Sequence, residues 1–237
     1  MRTLLFRDLG QIDYLSALSL QERLVEIKQR EGLPDILLLV EHPHVFTIGR
    51  GGKDSNLLCP GEVPVYRASR GGDATYHGPG QMVVYPLLDL RSRLRKDVHR
   101  YLRLLEMVLI RTLNGFGLDA ERNPPWTGVW IEKRKIASIG VAVRKGITYH
   151  GLALNVSTDL TYFNRIIPCG LAWAEMTSIQ KEVGREVPLE QVKEEFLRHF
   201  LQKFHYAELI ELCCEDIQIG SRSGLQAAPT TSASSGF

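Results

Sequence analysis

Between residues 128 and 156 the chain runs through three β-like stretches, 128–131, 135–143 and 147–156. The turns between them contain Lys133-Arg134 and Lys145-Gly146. Connections this short join antiparallel neighbours, so the region reads as a meander and commits the chain to a fold built on a sheet. Helical patterns flank it. Tyr101, Leu104, Leu105, Val108 and Thr112 share one face of a helix over 97–113 that ends at Asn114-Gly115, and after Pro188 an apolar residue recurs every fourth position at Val192, Phe196, Phe200 and Phe204. A further helix from Asp13 presents Tyr14, Ala17, Leu18, Leu24 and Val25 and stops at Glu31-Gly32. Shorter strands are expected over 3–6, 36–40, 44–48, 63–66 and 82–88, with a loop between the last two. Strands arise both as hairpins and around helices, so the predicted class is α/β (α+β), a single domain with a mixed β-sheet flanked by helices. No repeat or linker divides the 237 residues. The domain is expected over 1–219, and 220–237, rich in Ser, Thr, Ala and Gly, is expected to be a disordered tail.

Composition narrows the function. Lys and Arg number 29 against 27 Asp and Glu, a net +2, too small for a dedicated nucleic-acid binder. No apolar run approaches the roughly 18 residues of a membrane span. The four cysteines, Cys59, Cys169, Cys213 and Cys214, form no CxxC pair, so neither a zinc site nor a disulfide framework is expected. His42-Pro43-His44 lacks a neighbouring third ligand, and no metal is expected there. The start, MRTLLFRDLG, has no signal-peptide pattern, which points to the cytoplasm.

Three places carry chemistry. The first is Arg70-Gly71-Gly72-Asp73-Ala74-Thr75-Tyr76-His77-Gly78-Pro79-Gly80-Gln81, whose glycines free the backbone to approach a ligand while Arg, Thr and His supply polar groups. It is neither a P-loop nor a dinucleotide fingerprint. The second is Cys169, between Pro168 and Gly170. A cysteine in a strand is most often inert packing, but a turn between Pro and Gly leaves the thiol constrained and partly open, as a nucleophile needs. The third is Lys135, a long cation at the head of an apolar strand; a snorkelling edge lysine is the plain alternative. Ser138 and Gly140, and then His150, Gly151, Leu152 and Ala153, are expected to bring small residues and free backbone groups beside it.

RGGDATYHGPGQ (70–81), GVWIEKRKIASIG (128–140), HGLALNVSTDL (150–160) and IIPCG (166–170), in this order, resemble the lipoyl(octanoyl) transferase family over about residues 4–204. The resemblance implies the catalytic-domain fold of biotin and lipoate protein ligases. It makes Cys169 the acyl-thioester nucleophile and Lys135 its catalytic partner. It assigns Arg70, Gly71, Gly72, Asp73, Ala74, Thr75, Tyr76 and His77, with Ser138, Ile139, Gly140, Gly151, Leu152 and Ala153, to the acyl-substrate pocket. The implied reaction moves octanoate from octanoyl-acyl carrier protein to a lysine of lipoyl domains, those of 2-oxoacid dehydrogenase complexes and the glycine cleavage H protein, with no cofactor, nucleic acid or membrane. Thioester exchange is nearly balanced and amide formation from a thioester is downhill, so neither step needs ATP. The rivals are an ATP-dependent lipoate- or biotin-type ligase, which needs no nucleophilic Cys, and a cysteine thioesterase, which would pair Cys169 with a His. The run Arg91, Arg93, Arg95, Lys96, Arg100 and Arg103 is a candidate docking face for an acidic carrier, or a solvated helix start.

Overall fold

The run 36–40 is apolar at every position, so its strand must be covered on both faces. The computed structural model describes residues 2–212 and shows how. The chain runs through β1 (Thr3–Gln11), α1 (Tyr14–Glu31), β2 (Asp35–Glu41), β3 (Val45–Ile48), β4 (Val65–Arg67), β5 (Ala74–His77) and β6 (Gln81–Leu87). It continues through α2 (Leu90–Arg93), α3 (Val98–Asn114), β7 (Glu121–Asn123), β8 (Trp126–Ile131), β9 (Arg134–Arg144) and β10 (Ile147–Asn155). It closes with β11 (Glu175–Met176), α4 (Ile179–Val183), α5 (Leu189–Phe204) and β12 (Glu208–Glu211).

A nine-stranded mixed sheet has the order β12-β1-β2-β6-β10-β9-β8-β7, with β11 added beside β9. The meander is present, β8, β9 and β10 pairing antiparallel. Side chains alternate across the sheet. Leu37, Leu39, Met82, Val84, Leu152 and Leu154 pack under α3 and α5, whereas Ile36, Leu38, Val40, Val83, Tyr85 and Ala153 pack under α1. The α1 ends follow the sequence signals: the Asp13 side chain accepts from Ser16 N at 3.0 Å, and Gly32 closes the helix in the left-handed region.

A second sheet, β4-β3-β5, was not anticipated. The glycine-rich segment expected as a loop contains β5, antiparallel to β3 in the register Val45↔His77 to Ile48↔Ala74. Its four residues lie between glycines, too few to show a period. Strands β7, β11 and β12 are equally short. The expected tail 220–237, with Cys213 and Cys214, lies outside the described residues. Among the described residues no helix is long and apolar enough to cross a membrane.

The basic run does not form one face. Arg93 is buried, its Nε donating to Asp35 Oδ2 at 2.5 Å and its Nη1 to the Phe204 carbonyl at 3.0 Å. Burial alone would raise the Asp35 carboxyl, but Lys28 and Arg93 hold it below its usual range. Arg91 pairs with Asp89, and Arg103 with the fully buried Glu106. Asp35 is 58 positions from Arg93, so counting local charges could not see it. Arg95, Lys96 and Arg100 remain as the exposed remnant.

Candidate active site

Lys135 and Cys169, 34 positions apart, meet with Nζ 3.2 Å from Sγ. The route is visible in the backbone. After Cys169 the chain turns and adds β11 to the edge of β9, pairing Met176 with Lys135, and Thr177 N donates to the Lys135 carbonyl at 3.0 Å. The Lys135 side chain is 3% exposed and lies with Nζ 5.2 Å from the Trp130 ring centroid. Gly128 makes room for it: with φ +133°, a Cβ there would lie 2.7 Å from Lys135 Cε and 2.6 Å from the Ala137 carbonyl. Cys169 occupies the 3₁₀ turn Pro168–Gly170 at φ 58°, ψ 18°. That left-handed conformation is uncommon for a residue with a Cβ. Ile167 N→Asn56 O at 2.8 Å and Gly170 N→Ile167 O at 3.1 Å hold the turn. Ser138 Oγ is 3.8 Å from the sulfur.

A cleft runs inward from Cys169 between the two sheets. Ser138, Ile139, Gly140, Gly151, Leu152 and Ala153, expected at the acyl pocket, all stand on its large-sheet wall, and Arg70, Gly72, Asp73, Thr75 and His77 on the other. Gly71, Ala74 and Tyr76 do not line it. For Ala74 and Tyr76 the reason is alternation along β5: Thr75 and His77 face the cleft, while Ala74 and Tyr76 enter a separate small core with Phe46 and Phe163. Gly71 lies before that strand, its N–H donating to the Val141 carbonyl at 2.9 Å. His150, expected beside Lys135 with Gly151, also lines the cleft, as do Tyr14, Val83 and Tyr85, which the sequence assigned to no site. For Val83 and Tyr85 the alternation of β6 was the available signal; for Tyr14 there was none beyond its place on α1.

Arg70 is 8% exposed and makes no ion pair among the described residues. Its Nη2 donates to Thr47 O and Oγ1 at 2.8 and 2.7 Å, and burial pushes the guanidinium down from its usual value. His77 Nδ1 is 2.7 Å from Gln81 Oε1, while Gln81 Nε2 donates to Asn155 Oδ1 at 2.9 Å and Tyr76 O at 3.2 Å. The amide nitrogen being so engaged, its oxygen accepts, which assigns the His77 proton to Nδ1. Burial first, then His42, lowers His77 to about 3; burial first, then Arg70, lowers His150 to about 4. Both rings are therefore neutral near pH 7, and among the described residues no histidine touches Sγ. The cation at the sulfur is Lys135. No group of His, Cys, Asp and Glu among the described residues is arranged to hold a metal.

These histidines make stability depend on pH. Their folded values lie below the ordinary 6.5, so the unfolded chain takes up protons first as pH falls. Stability is complete above about 6.5 and declines toward pH 4; His77 alone accounts for about 3 kcal/mol over that span. Urea unfolding at pH 7, 5.5 and 4.5 should show a falling midpoint. A flat profile would contradict the buried, neutral rings.

Residues 13–201 match the lipoyl protein ligase A/B catalytic domain. The chain is 47% identical over 215 residues to an octanoyltransferase of Solibacter usitatus, covering 88% of this chain and 96% of that one. It is 51% identical over 187 residues to an octanoyltransferase of Geotalea uraniireducens, covering 78% and 86%. Among solved structures, a bi-partite lipoate protein ligase from Thermoplasma acidophilum superposes with a TM-score of 0.65 at 19% identity, over 92% of this chain and 89% of the other. A biotin protein ligase from Aquifex aeolicus gives 0.51 at 16%, over 84% and 70%. The structural likenesses speak to the fold alone; the close relatives, with the matched domain, place the chain in the lipoyl protein ligase A/B catalytic domain family, among its octanoyltransferases.

Proposed function

We propose that this acyltransferase carries the octanoyl group on Cys169, taking it from octanoyl-acyl carrier protein and passing it to a lysine of a lipoyl domain, including those of 2-oxoacid dehydrogenase complexes and the glycine cleavage H protein. The contact of 3.2 Å between Lys135 Nζ and Cys169 Sγ carries the reading. An ammonium beside a thiol favours the thiolate, which is the nucleophile. The thiolate attacks the thioester carbonyl, the new C–Sγ bond forms, the donor's C–S bond breaks, and the donor thiolate leaves with a proton from Lys135. The neutral Lys135 then takes a proton from the acceptor ammonium. The amine attacks, Cys169 departs as thiolate, one proton stays on the amide and one goes to solvent. The resting pair is restored. Arg95, Lys96 and Arg100 are the exposed cations available to an acidic carrier from the basic run.

Neither rival explains the pair as well. Activation of a free acid by ATP needs no cysteine nucleophile, and a cysteine hydrolase needs a base paired with the sulfur, where among the described residues the hydrogen-bond partners are Lys135 and Ser138 rather than a histidine. Mixing the protein with octanoyl-acyl carrier protein should add one octanoyl group, mapped to Cys169 by intact and peptide mass. Formation of acyl-adenylate from octanoate and ATP, with Cys169 unmodified by the carrier thioester, would overturn the proposal.

A further inference from the structure

The cleft accounts for the acyl chain but leaves one side of the Lys135–Cys169 pair undescribed. Trp173 lies four residues beyond Cys169 and two before the start of β11, in the segment that turns back onto β9 at Lys135. It is 49% exposed, one of the large apolar side chains left open to solvent. Its ring is stacked on Trp130 with centroids 5.6 Å apart and planes at 12°, and meets Trp126 edge-on at 4.7 Å. Trp130 is itself fully buried and carries the Lys135 ammonium at 5.2 Å. An ammonium, a buried indole, a half-exposed indole and the nucleophilic sulfur thus form one cluster. Beside Gly170, where a Cβ would lie 2.8 Å from its Oδ2, Asp73 is fixed by Asn56 Nδ2 at 2.7 Å and the Ala74 amide at 2.6 Å, and makes no ion pair among the described residues.

Resting on the function proposed above, we propose that Trp173 is the platform over which the acceptor lysine enters. Its four methylenes cover the indole and its ammonium gains the ring's quadrupole, the mode in which Trp130 already holds Lys135. Asp73, on the cleft wall beside Gly170, supplies the opposite charge. A half-exposed indole offers a large rigid apolar face with a polar edge, the kind of side chain enriched where one surface meets another. The pantetheine arm of the donor, neutral at its amides, has no use for a cation-binding face. In the transfer itself the amine nitrogen forms the amide bond as the C–Sγ bond breaks, and Lys135 receives the proton as described above.

The test separates the two half-reactions in the full-length protein. Acylation of Cys169 is followed by intact mass with octanoyl-acyl carrier protein. The acylated protein is then chased with a lipoyl domain, and separately with Nα-acetyl-lysine methylamide, which offers the side chain alone. Trp173→Ala and Trp173→Leu should leave acylation within about twofold and raise the acceptor concentration needed for half-maximal transfer about 5- to 30-fold with both acceptors. Trp173→Phe should retain most of the wild-type value. Unchanged transfer in Trp173→Ala, a wild-type result in Trp173→Leu, a loss confined to the folded lipoyl domain, or an equal loss in acylation would each overturn the platform. Failure of the wild-type protein to acylate Cys169 would instead sink the parent proposal.

Discussion

Cys169→Ser will lose transfer by at least about 10⁴-fold and will form no octanoyl adduct, while its thermal unfolding stays close to wild type. The fold tolerates the change because serine is nearly isosteric and inherits the same left-handed backbone. The chemistry does not. A hydroxyl needs a strong base to become a nucleophile, and the side chains within reach of position 169 are Lys135 and Ser138. The neutral rings of His77 and His150 make no contact with the sulfur. Cys59 is exposed and makes no side-chain contact with the cleft, so Cys59→Ser should keep wild-type activity, as should Cys213→Ser and Cys214→Ser. Intact mass with octanoyl-acyl carrier protein, alongside steady-state transfer, checks all four variants. Near-normal transfer by Cys169→Ser would end the covalent mechanism.

The second large effect belongs to Lys135. Lys135→Met keeps the unbranched stem over Gly128 and Trp130 but removes the ammonium, and both half-reactions should slow about 10²- to 10⁴-fold. The fold should survive, because an apolar chain of similar volume takes the place of the buried stem and the sulfur left behind can hold a proton. Lys135→Arg should also lose transfer: a guanidinium keeps the charge but cannot serve as a base. Its extra bulk, though, presses into the space that Gly128 leaves open, so the Met variant is the cleaner probe. Gly128→Ala offers a second approach, since the added methyl would fall 2.7 Å from Lys135 Cε and push the ammonium off the sulfur. Pulse acylation measured by mass, with melting curves alongside, decides the matter. Fast acylation in Lys135→Met would reduce the lysine to a structural role.

The fold was legible where periodicity ran long enough. Helix α1 begins and ends at the residues whose side chain and φ close it, Asp13 and Gly32, and the meander was readable from two turns. Strand β5 was not, because a four-residue strand among glycines has no period to read. The separate placement of Ala74 and Tyr76 followed from that. Without β5 nothing says that alternate residues of the segment face opposite ways. The union of Lys135 with Cys169 is set by β11, two residues pairing with an edge strand, a contact no local pattern encodes. Arg93 shows the same limit for charge: a helix cation counted as surface is satisfied by the aspartate that opens β2. Trp173 carried no mark at all, since an aromatic residue's exposure is a property of the folded chain, and Tyr14 read only as one of the apolar positions of α1.

The backbone at position 169 has a consequence for directed evolution. A side-chain-bearing residue at φ 58° costs about 1–2 kcal/mol that glycine would not incur. Selection for thermal tolerance alone should therefore favour Cys169→Gly, a sturdier and inert protein. The proposed nucleophile is one of the places where this chain is less stable than its fold permits, and the deficit persists only while turnover is selected. A library screened for folding, without an activity screen, would drift toward glycine here as at the other left-handed positions, His150 of the cleft among them, and at position 169 the drift would remove the sulfur.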